Sequence, residues 1–591
     1  MVIKMINPVK SATEELKKLI GAALEKIAAE SGADASALPK FTVEIPADKS
    51  HGDFATNAAL ASAKALRSNP RKIAEGIAAN ISLEGTSFEK VEIAGPGFIN
   101  FFLSKSWFGN VVTDILNENT RYGRTDTGAG KKILLEFVSA NPTGPMHVGN
   151  ARGGALGDCL ASVLDYAGYN VCREFYINDA GNQVNKFGKS LDLRYMQLND
   201  PANAEFVKSF GTDTEALCHA VYDDTERFPM PDDVYLGVDI ITHAKNFTDI
   251  NGDKYYSVSE EERRAALVDY ALPINIKNLE LDLGKYRIIY DNWFHESTLH
   301  NDGSVQRIIE KLKASGYTYE QEGALWFRST ELGDDKDRVL VRANGVPTYF
   351  VPDIAYHYNK LAERNFDTAI DILGADHHGY IPRMKAAMKA LGVDESRLDM
   401  VIMQMVMLID KDGNPIKLSK RSGKAITLVT LLEDIPIDAA RFFFNLREAN
   451  SQFEFDLDLA IEQSSQNPVY YVQYAHARIC SIIRNMRGKG IFADESKADL
   501  TLLTAPEEIE LIRALAVLPN TVDMAARDYD PSKITRYAID LATLFHKFYD
   551  KCHIMGEAEE LMQARLMLCT AVKTVLKNVL DMLKVNCPDK M

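Results

Sequence analysis

No run of about 18 apolar residues occurs in this 591-residue sequence, which excludes a helical membrane span. Residues 1–30, MVIKMINPVKSATEELKKLIGAALEKIAAE, lack the uninterrupted apolar centre of a signal peptide. They read instead as an amphipathic helix, so the expected location is the cytoplasm. Cysteine is sparse: there are 7, an odd number, and none forms a CxxC pair, so neither a disulfide framework nor a Cys-rich zinc site is expected. Positive charge is not in excess. Lys and Arg number 67 against 83 Asp and Glu, and the net charge of −16 argues against indiscriminate nucleic-acid binding while allowing a local basic face. No fixed-period repeat and no low-complexity tract is present.

What is present is apolar content of 46%, enough for several packed cores in a chain long enough for three or four domains. Residues 1–120 read as a separate α+β unit: 55–81 has helical spacing with a Pro break, and 88–104 reads as two strands joined by Gly95-Pro96-Gly97. A βα pattern begins at Ile133. Residues 190–285 are acidic and turn-rich, the mark of an insertion. Apolar strands return at 367–380, and the apolar run 400–409 ends at a turn. Such alternation predicts a parallel sheet with crossover helices, and ligands at the carboxyl ends of its strands. Beyond about residue 460 the spacing is helical throughout and predicts a bundle.

Two clusters fall just after apolar runs. In NPTGPMHVGNARGG (141–154), a Pro/Gly turn leads into a helix start. His147 and Asn150 share a helical face there, and Gly149, Gly153 and Gly154 open the backbone to a ligand. A helix N-terminus offers unpaired N–H groups to phosphate. In DGNPIKLSKRSGKAITL (412–428), Lys417, Lys420, Arg421 and Lys424 lie close together with Ser419, Ser422 and Gly423. The order GxxxxGK[ST] is missing, so this is not a Walker loop, but it suits a polyphosphate whose charge grows during transfer.

HVGN and KLSKR, flanking the βα region, resemble the HIGH and KMSKS motifs of class I aminoacyl-tRNA synthetases. EFVSANPTGPMHVGN, ADHHGY, PTYFVPDIAYH, KLSKRSGKAITL and NPVYYVQYAHARI together resemble the arginyl-tRNA synthetase family. DKSHGDFATNAA and EIAGPGFINFFL resemble that family's extra N-terminal domain. The resemblance covers almost the whole chain. It implies a multidomain protein: an α+β N-terminal tRNA-binding domain (1–120), an α/β Rossmann-like parallel-sheet catalytic domain (121–435) with its insertion at 190–285, a linker that contacts the tRNA stem (436–466), and an all-α anticodon-binding bundle (467–591).

The implied activity is ATP-dependent activation of L-arginine to arginyl-adenylate, then transfer to the 3′ end of tRNA(Arg), with release of AMP and pyrophosphate. The family generally needs tRNA for the activation step. Pro142, Thr143, Gly144, His147, Gly149, Asn150, Lys417, Ser419 and Lys420 are implied to bind ATP, with His147, Asn150, Lys417 and Lys420 catalytic. Asn150 stands where many members have a second His. Glu136, Ser139, Asn141, Asn150, Tyr349, Asp353 and Asp376 are implied to bind arginine. Phe545 and Phe548 read as core, while Tyr549 and Arg478 are implied to contact tRNA; Arg441, Arg447, Arg484 and Arg487 are further candidates for tRNA phosphates. ATP comes with Mg²⁺. His377 and His378 have no third ligand at suitable spacing, so no zinc is expected. The partners are tRNA(Arg), L-arginine and ATP, with no membrane, and the chain is expected to act as a monomer. Two other readings stay open. Another class I synthetase, such as the cysteine enzyme, normally carries zinc ligands for its thiol substrate. A non-catalytic tRNA-binding paralogue is expected to lose the basic loop or the substrate carboxylates, and here Lys420, Asp353 and Glu136 all remain.

Overall fold

The structure, a computed structural model, describes residues 5–416 and 427–591. Five largely apolar segments pair in one parallel sheet: β1 Lys132–Glu136, β2 Asn170–Ile177, β3 Asn292–His295, β4 Thr368–Gly374 and β5 Leu398–Met403. Their order is β5-β4-β1-β2-β3. In register, Leu135 of β1 lies between Ile370 of β4 and Arg173 of β2. This is the Rossmann-like order expected from the alternating pattern. The chain runs outward from β1 through β2 to β3, then returns to β1's other edge with β4. That reversal opens a crevice beyond the carboxyl ends of β1 and β4, the usual ligand position in such sheets.

The helix after β1, Val148–Tyr166, is pressed against the residue that ends the strand. A Cβ at Gly157 would lie 2.2 Å from the Phe137 ring, and one at Gly154 would lie 2.7 Å from Ile288 Cδ1. Gly154 therefore serves packing and not ligand access. Gly149 faces open space.

Residues 190–285 differ from their turn-rich reading. They are mostly helical, and the helical unit starts earlier. Helices Gly181–Asn199, Thr214–Asp223, Val238–Asn251 and Glu260–Lys285 form the crossover from β2 to β3. They enclose their own core of Phe187, Leu191, Tyr195, Ile240, Phe247 and Leu267. Much of the acidity sits at helix starts: Ser259 caps the last helix, and Glu260, Glu261 and Glu262 fill its first turn, where the helix dipole favours anions.

The apolar run 400–409 is not one strand. It breaks after Met403, and Val406–Ile409 pairs in parallel with Phe453–Asp456 in a separate two-stranded sheet. Within 436–466, expected as a linker that contacts the tRNA stem, Phe442, Phe443, Phe444, Phe453 and Phe455 are buried. Arg441 is fully buried as well, its Nη2 2.5 Å from Asp158 Oδ2 and its Nη1 donating to the Tyr286 carbonyl. It is a core ion pair and not a phosphate contact.

The second compact unit joins residues 1–129 and 166–168 to residues 462–591. The Gly-Pro-Gly segment does turn a hairpin, between Phe88–Ala94 and Phe98–Leu103, inside a four-stranded sheet. The C-terminal helices Pro468–Gly488, Pro506–Ala516, Leu518–Arg527, Ser532–Lys551 and Glu559–Met582 bury Phe545 and Phe548 as expected. Within this unit Arg513 pairs with Asp53 at 2.6 Å, and Asn578 Nδ2 donates to the Asn119 carbonyl at 2.8 Å.

Candidate active site

β1 ends at Glu136, and the chain then takes an unusual path. Val138 and Ser139 both adopt positive φ, 70° and 42°. A β-branched residue there costs about 1–3 kcal/mol, a strain typical of functional sites. The kink turns the Ser139 hydroxyl back to donate to Glu136 Oε1 at 2.8 Å, and Ser139 Oγ accepts the Tyr176 N–H at 3.1 Å. Pro142 and Thr143 are buried, while Asn141 and His147 are exposed. The helix begins at Val148. Asn150 Oδ1 accepts the His147 N–H at 3.1 Å, and the Asn150 N–H donates to the His147 carbonyl at 2.9 Å. Asn150 thus reaches back across the first turn, as an N3 residue does in a capping box.

Lys417, Ser419, Lys420 and Lys424 lie outside the described residues. The chain resumes beside His147: Thr427 forms a β-bridge with it, and the Leu428 N–H donates to the Met146 carbonyl at 2.9 Å. His147 of the first signature segment therefore adjoins the stretch that begins at Thr427.

Next to the loop lies a cluster of carboxyl groups. Glu136 ends β1, Glu296 follows β3, and Asp353 sits in the first turn of helix Phe350–Tyr358. Tyr176 ends β2, and Tyr380 opens the helix after β4. Burial pushes the Asp353 carboxyl up to about 7; His357 and the Tyr380 hydroxyl oppose this, while Glu296 and Glu136 add repulsion. Burial also raises Glu296, against hydrogen bonds from Tyr176 and His300. The repulsion of Asp353 by Glu296 and Glu136 places the three carboxyls around shared space. Tyr176, Phe294 and Tyr356 form an aromatic wall, with ring centroids 4.4–6.2 Å apart.

Glu136 itself is already engaged. Lys360, fully buried on a π-helical turn at Asn359–Glu363, lies 2.5 Å from Glu136 Oε2 and 2.7 Å from Asp371 Oδ1. Against burial, Asp371, Glu136 and Glu174 hold the Lys360 ammonium above its ordinary value. Arg364 pairs with Glu174 at 2.6 Å. With those pairs set aside, Asp353 and Glu296 are carboxyls with no Lys or Arg partner among the described ion pairs. The pocket is built for a cation.

The structure brings Glu136, Ser139 and Asp353 together. Tyr349 stands at the rim, 54% exposed, its ring 3.5 Å from where a Gly181 Cβ would be. Asp376, just after β4, is exposed, with His377 Nε2 3.5 Å from its Oδ2. Glu296 was missed: it belongs to no motif, and only its place after β3 delivers it to the pocket.

Three family models match along the chain: an arginyl-tRNA synthetase N-terminal domain over 14–103, the class I (R) tRNA synthetase catalytic domain over 111–483, and a DALR anticodon-binding domain over 472–591. An arginine–tRNA ligase of Caldanaerobacter subterraneus subsp. tengcongensis is 52% identical, with 99% of this chain and all of that one covered. Another, from Acetivibrio thermocellus, is 48% identical over the same shares. The solved arginyl-tRNA synthetase of Thermus thermophilus shares the fold, at 21% identity, a TM-score of 0.70, and coverage of 98% of this chain and all of that one.

The chain belongs to the arginyl-tRNA synthetase family. Its activity is that of an arginine–tRNA ligase, driven by ATP, with arginine and tRNA as its other substrates. Neither alternative reading is supported.

In the DALR domain of this synthetase, Arg478 and Tyr549 lie side by side. The guanidinium rests 4.7 Å from the Tyr474 ring and 4.9 Å from the Tyr549 ring, and Tyr549 is 39% exposed. Among the described residues, one group of three metal-ligating side chains lies close together: His476, Cys480 and Asp589. Its bonds are already made within the protein: His476 Nδ1 to the Pro588 carbonyl at 2.9 Å, and the Cys480 thiol to Asp589 Oδ1 at 3.1 Å. No helix among the described residues is long and apolar enough to cross a membrane.

Proposed function

We propose that the carboxyl pocket holds arginine and that the Pro/Gly loop with His147 holds ATP, which enters as its Mg²⁺ complex. The observation that carries this reading is the pair Asp353 and Glu296 near the carboxyl end of the sheet, both raised by burial, Asp353 also by the charge of Glu296 and Glu296 also by that of Asp179. A guanidinium brings a fixed positive charge and five donors, and it relieves both. Glu136, steadied by Lys360 and Ser139, borders the same space, and Tyr349 closes the rim. Asn141 and Asp376 are peripheral substrate contacts. His147 and the N–H groups at the helix start meet the phosphates, with Pro142, Thr143, Gly144 and Gly149 shaping their approach. Asn150 supports His147 through its bond to the His147 backbone. Lys417, Ser419 and Lys420 are the remaining ATP-binding residues in this reading.

Catalysis is then positioning and charge stabilisation. The arginine carboxylate attacks the α-phosphorus, a C–O–P linkage forms, and pyrophosphate leaves with its electron pair. The lysines neutralise charge that rises on the leaving group.

The first test is pH. The free enzyme must ionise Asp353 to pair with arginine, whose guanidinium stays charged. Arginine affinity, measured by calorimetry, should therefore rise with pH and level off above about 7. Below that it should fall by up to about tenfold per pH unit, with a proton released on binding. Flat affinity from pH 5 to 8 would remove Asp353 from the pocket.

Residues 1–120 and 467–591 are the tRNA-contacting regions in this reading, and 131–435 carry the chemistry. Tyr549 stacks on an unpaired base and Arg478 supplies charge beside it. Tyr549→Ala should weaken tRNA binding by about 1–3 kcal/mol. Its salt slope should stay that of wild type, because stacking releases no counterions, whereas Arg478→Ala should flatten the slope. Filter binding at two salt concentrations separates the two; wild-type affinity in Tyr549→Ala would exclude stacking there. The same reading carries action as a cytoplasmic monomer, away from membranes and without zinc.

A further inference from the structure

The reading above leaves the helical insertion between β2 and β3 without a task. We propose that it sets the ATP loop: Asn275, oriented by His243, holds the Pro142 carbonyl and so fixes where Gly144 to His147 meet the nucleotide. This rests on the reading that the loop binds ATP.

His243 lies on helix Val238–Asn251 and Asn275 on helix Glu260–Lys285, and both are buried. His243 Nε2 is 2.8 Å from Asn275 Oδ1, and Asn275 Nδ2 donates to the Pro142 carbonyl at 3.0 Å. An amide oxygen only accepts, so Nε2 carries the proton and the amide NH₂ is aimed at the loop. Edge-on rings of Phe187 and Tyr270, with centroids 6.4 and 6.5 Å away, flank the imidazole. Asp239, one turn before His243, lies against the same loop: a Cβ at Gly144 would be 3.5 Å from its Oδ2.

Two properties make this more than packing. The pair borders the insertion's apolar core, and a His–Asn pair is expensive to bury unless it is hydrogen-bonded. The pair is bonded in turn to a backbone carbonyl of the loop. The loop also contains two prolines, Pro142 and Pro145, which have no N–H with which to anchor it. An outside donor supplies what the loop's own backbone cannot. Asn275 touches no substrate in this arrangement; it is a positioning residue.

The test uses the full-length enzyme with saturating tRNA. kcat and KM for ATP are measured in ATP–pyrophosphate exchange, arginine affinity by calorimetry, and folding by thermal melting. Asn275→Ala and His243→Leu should each lower kcat/KM for ATP by about 5- to 30-fold, the effect of losing one buried hydrogen bond. Arginine affinity should stay at the wild-type value. His243→Gln keeps an N–H donor and should restore most of the loss. The double variant Asn275→Ala/His243→Leu should be no worse than Asn275→Ala alone, because both act through one carbonyl. His147→Ala marks the loop itself. If it is impaired while Asn275→Ala matches wild type toward ATP, the positioning role is overturned and the ATP site stands. Equal losses toward ATP and arginine with a lowered melting temperature overturn it too, as a purely structural effect. If His147→Ala is also unimpaired, the ATP reading falls first and the inference falls with it.

Discussion

Lys420→Ala should lower kcat for arginine activation by about 10²–10³-fold, the scale of losing one preorganised stabilising donor. Negative charge on pyrophosphate grows as the bond breaks, so a lysine there favours the transition state over bound ATP. Thr427, the first described residue after the loop, is bridged to His147. KM for arginine should move little, since its pocket lies across the reacting carboxylate. Lys424→Ala, outside the matched motif, is the control. Single-turnover activation with saturating tRNA reads both. Wild-type chemistry in Lys420→Ala, or greater damage in Lys424→Ala, would remove this loop from pyrophosphate stabilisation.

Asp353→Asn carries the second large effect, and it comes with a signature in stability. Exchanging the carboxylate for an amide of equal size removes a charge-assisted pair with the guanidinium, worth roughly 2–4 kcal/mol. kcat/KM for arginine should fall by about 30- to 900-fold. Stability should move the other way. The folded-state pKa, about 7, is above the ordinary 3.8, so the folded protein binds the proton more tightly than the unfolded chain does. Stability contributed by the protonated carboxyl is complete below 3.8 and is lost as pH rises to about 7. Without arginine, the Asn variant should therefore melt higher than wild type at pH 8, with the gap closing at pH 4. A variant that keeps its arginine kinetics, or that melts lower at pH 8, would contradict the assignment.

Much of the framework was legible because its signals are local. KILLE reads as a buried strand, and Gly95-Pro96-Gly97 reads as a turn, because neighbouring residues decide both. The insertion misled because Asn251, Gly252 and Asp253 look like loop, although they only separate two long helices. A readable signal was there: Ser259 with Glu262 is a capping pattern. The run 400–409 carries one polar residue at its break, Gln404, and tertiary pairing of Val406–Ile409 with Phe453–Asp456 divides its two apolar halves. The site was legible where motifs carry it, at His147 and Asp353. Glu296 and Lys360 were not, since one becomes a pocket wall only through strand order and the other is brought to Glu136 by a π-helical turn that belongs to no motif. Asn150 looked like a substrate contact, and its backbone bond to His147 needed coordinates.

The pairing of Arg513 with Asp53 has a consequence for synthesis. These partners are 460 positions apart in the chain. At translation rates of about 5–20 residues per second, the ribosome delivers the arginine roughly 20–90 s after the aspartate. Through that interval the N-terminal sheet exists without the helices that seal it, and the catalytic sheet is made in between. The nascent chain must therefore carry an unfinished surface for most of its own manufacture, and this unit is the last to be completed.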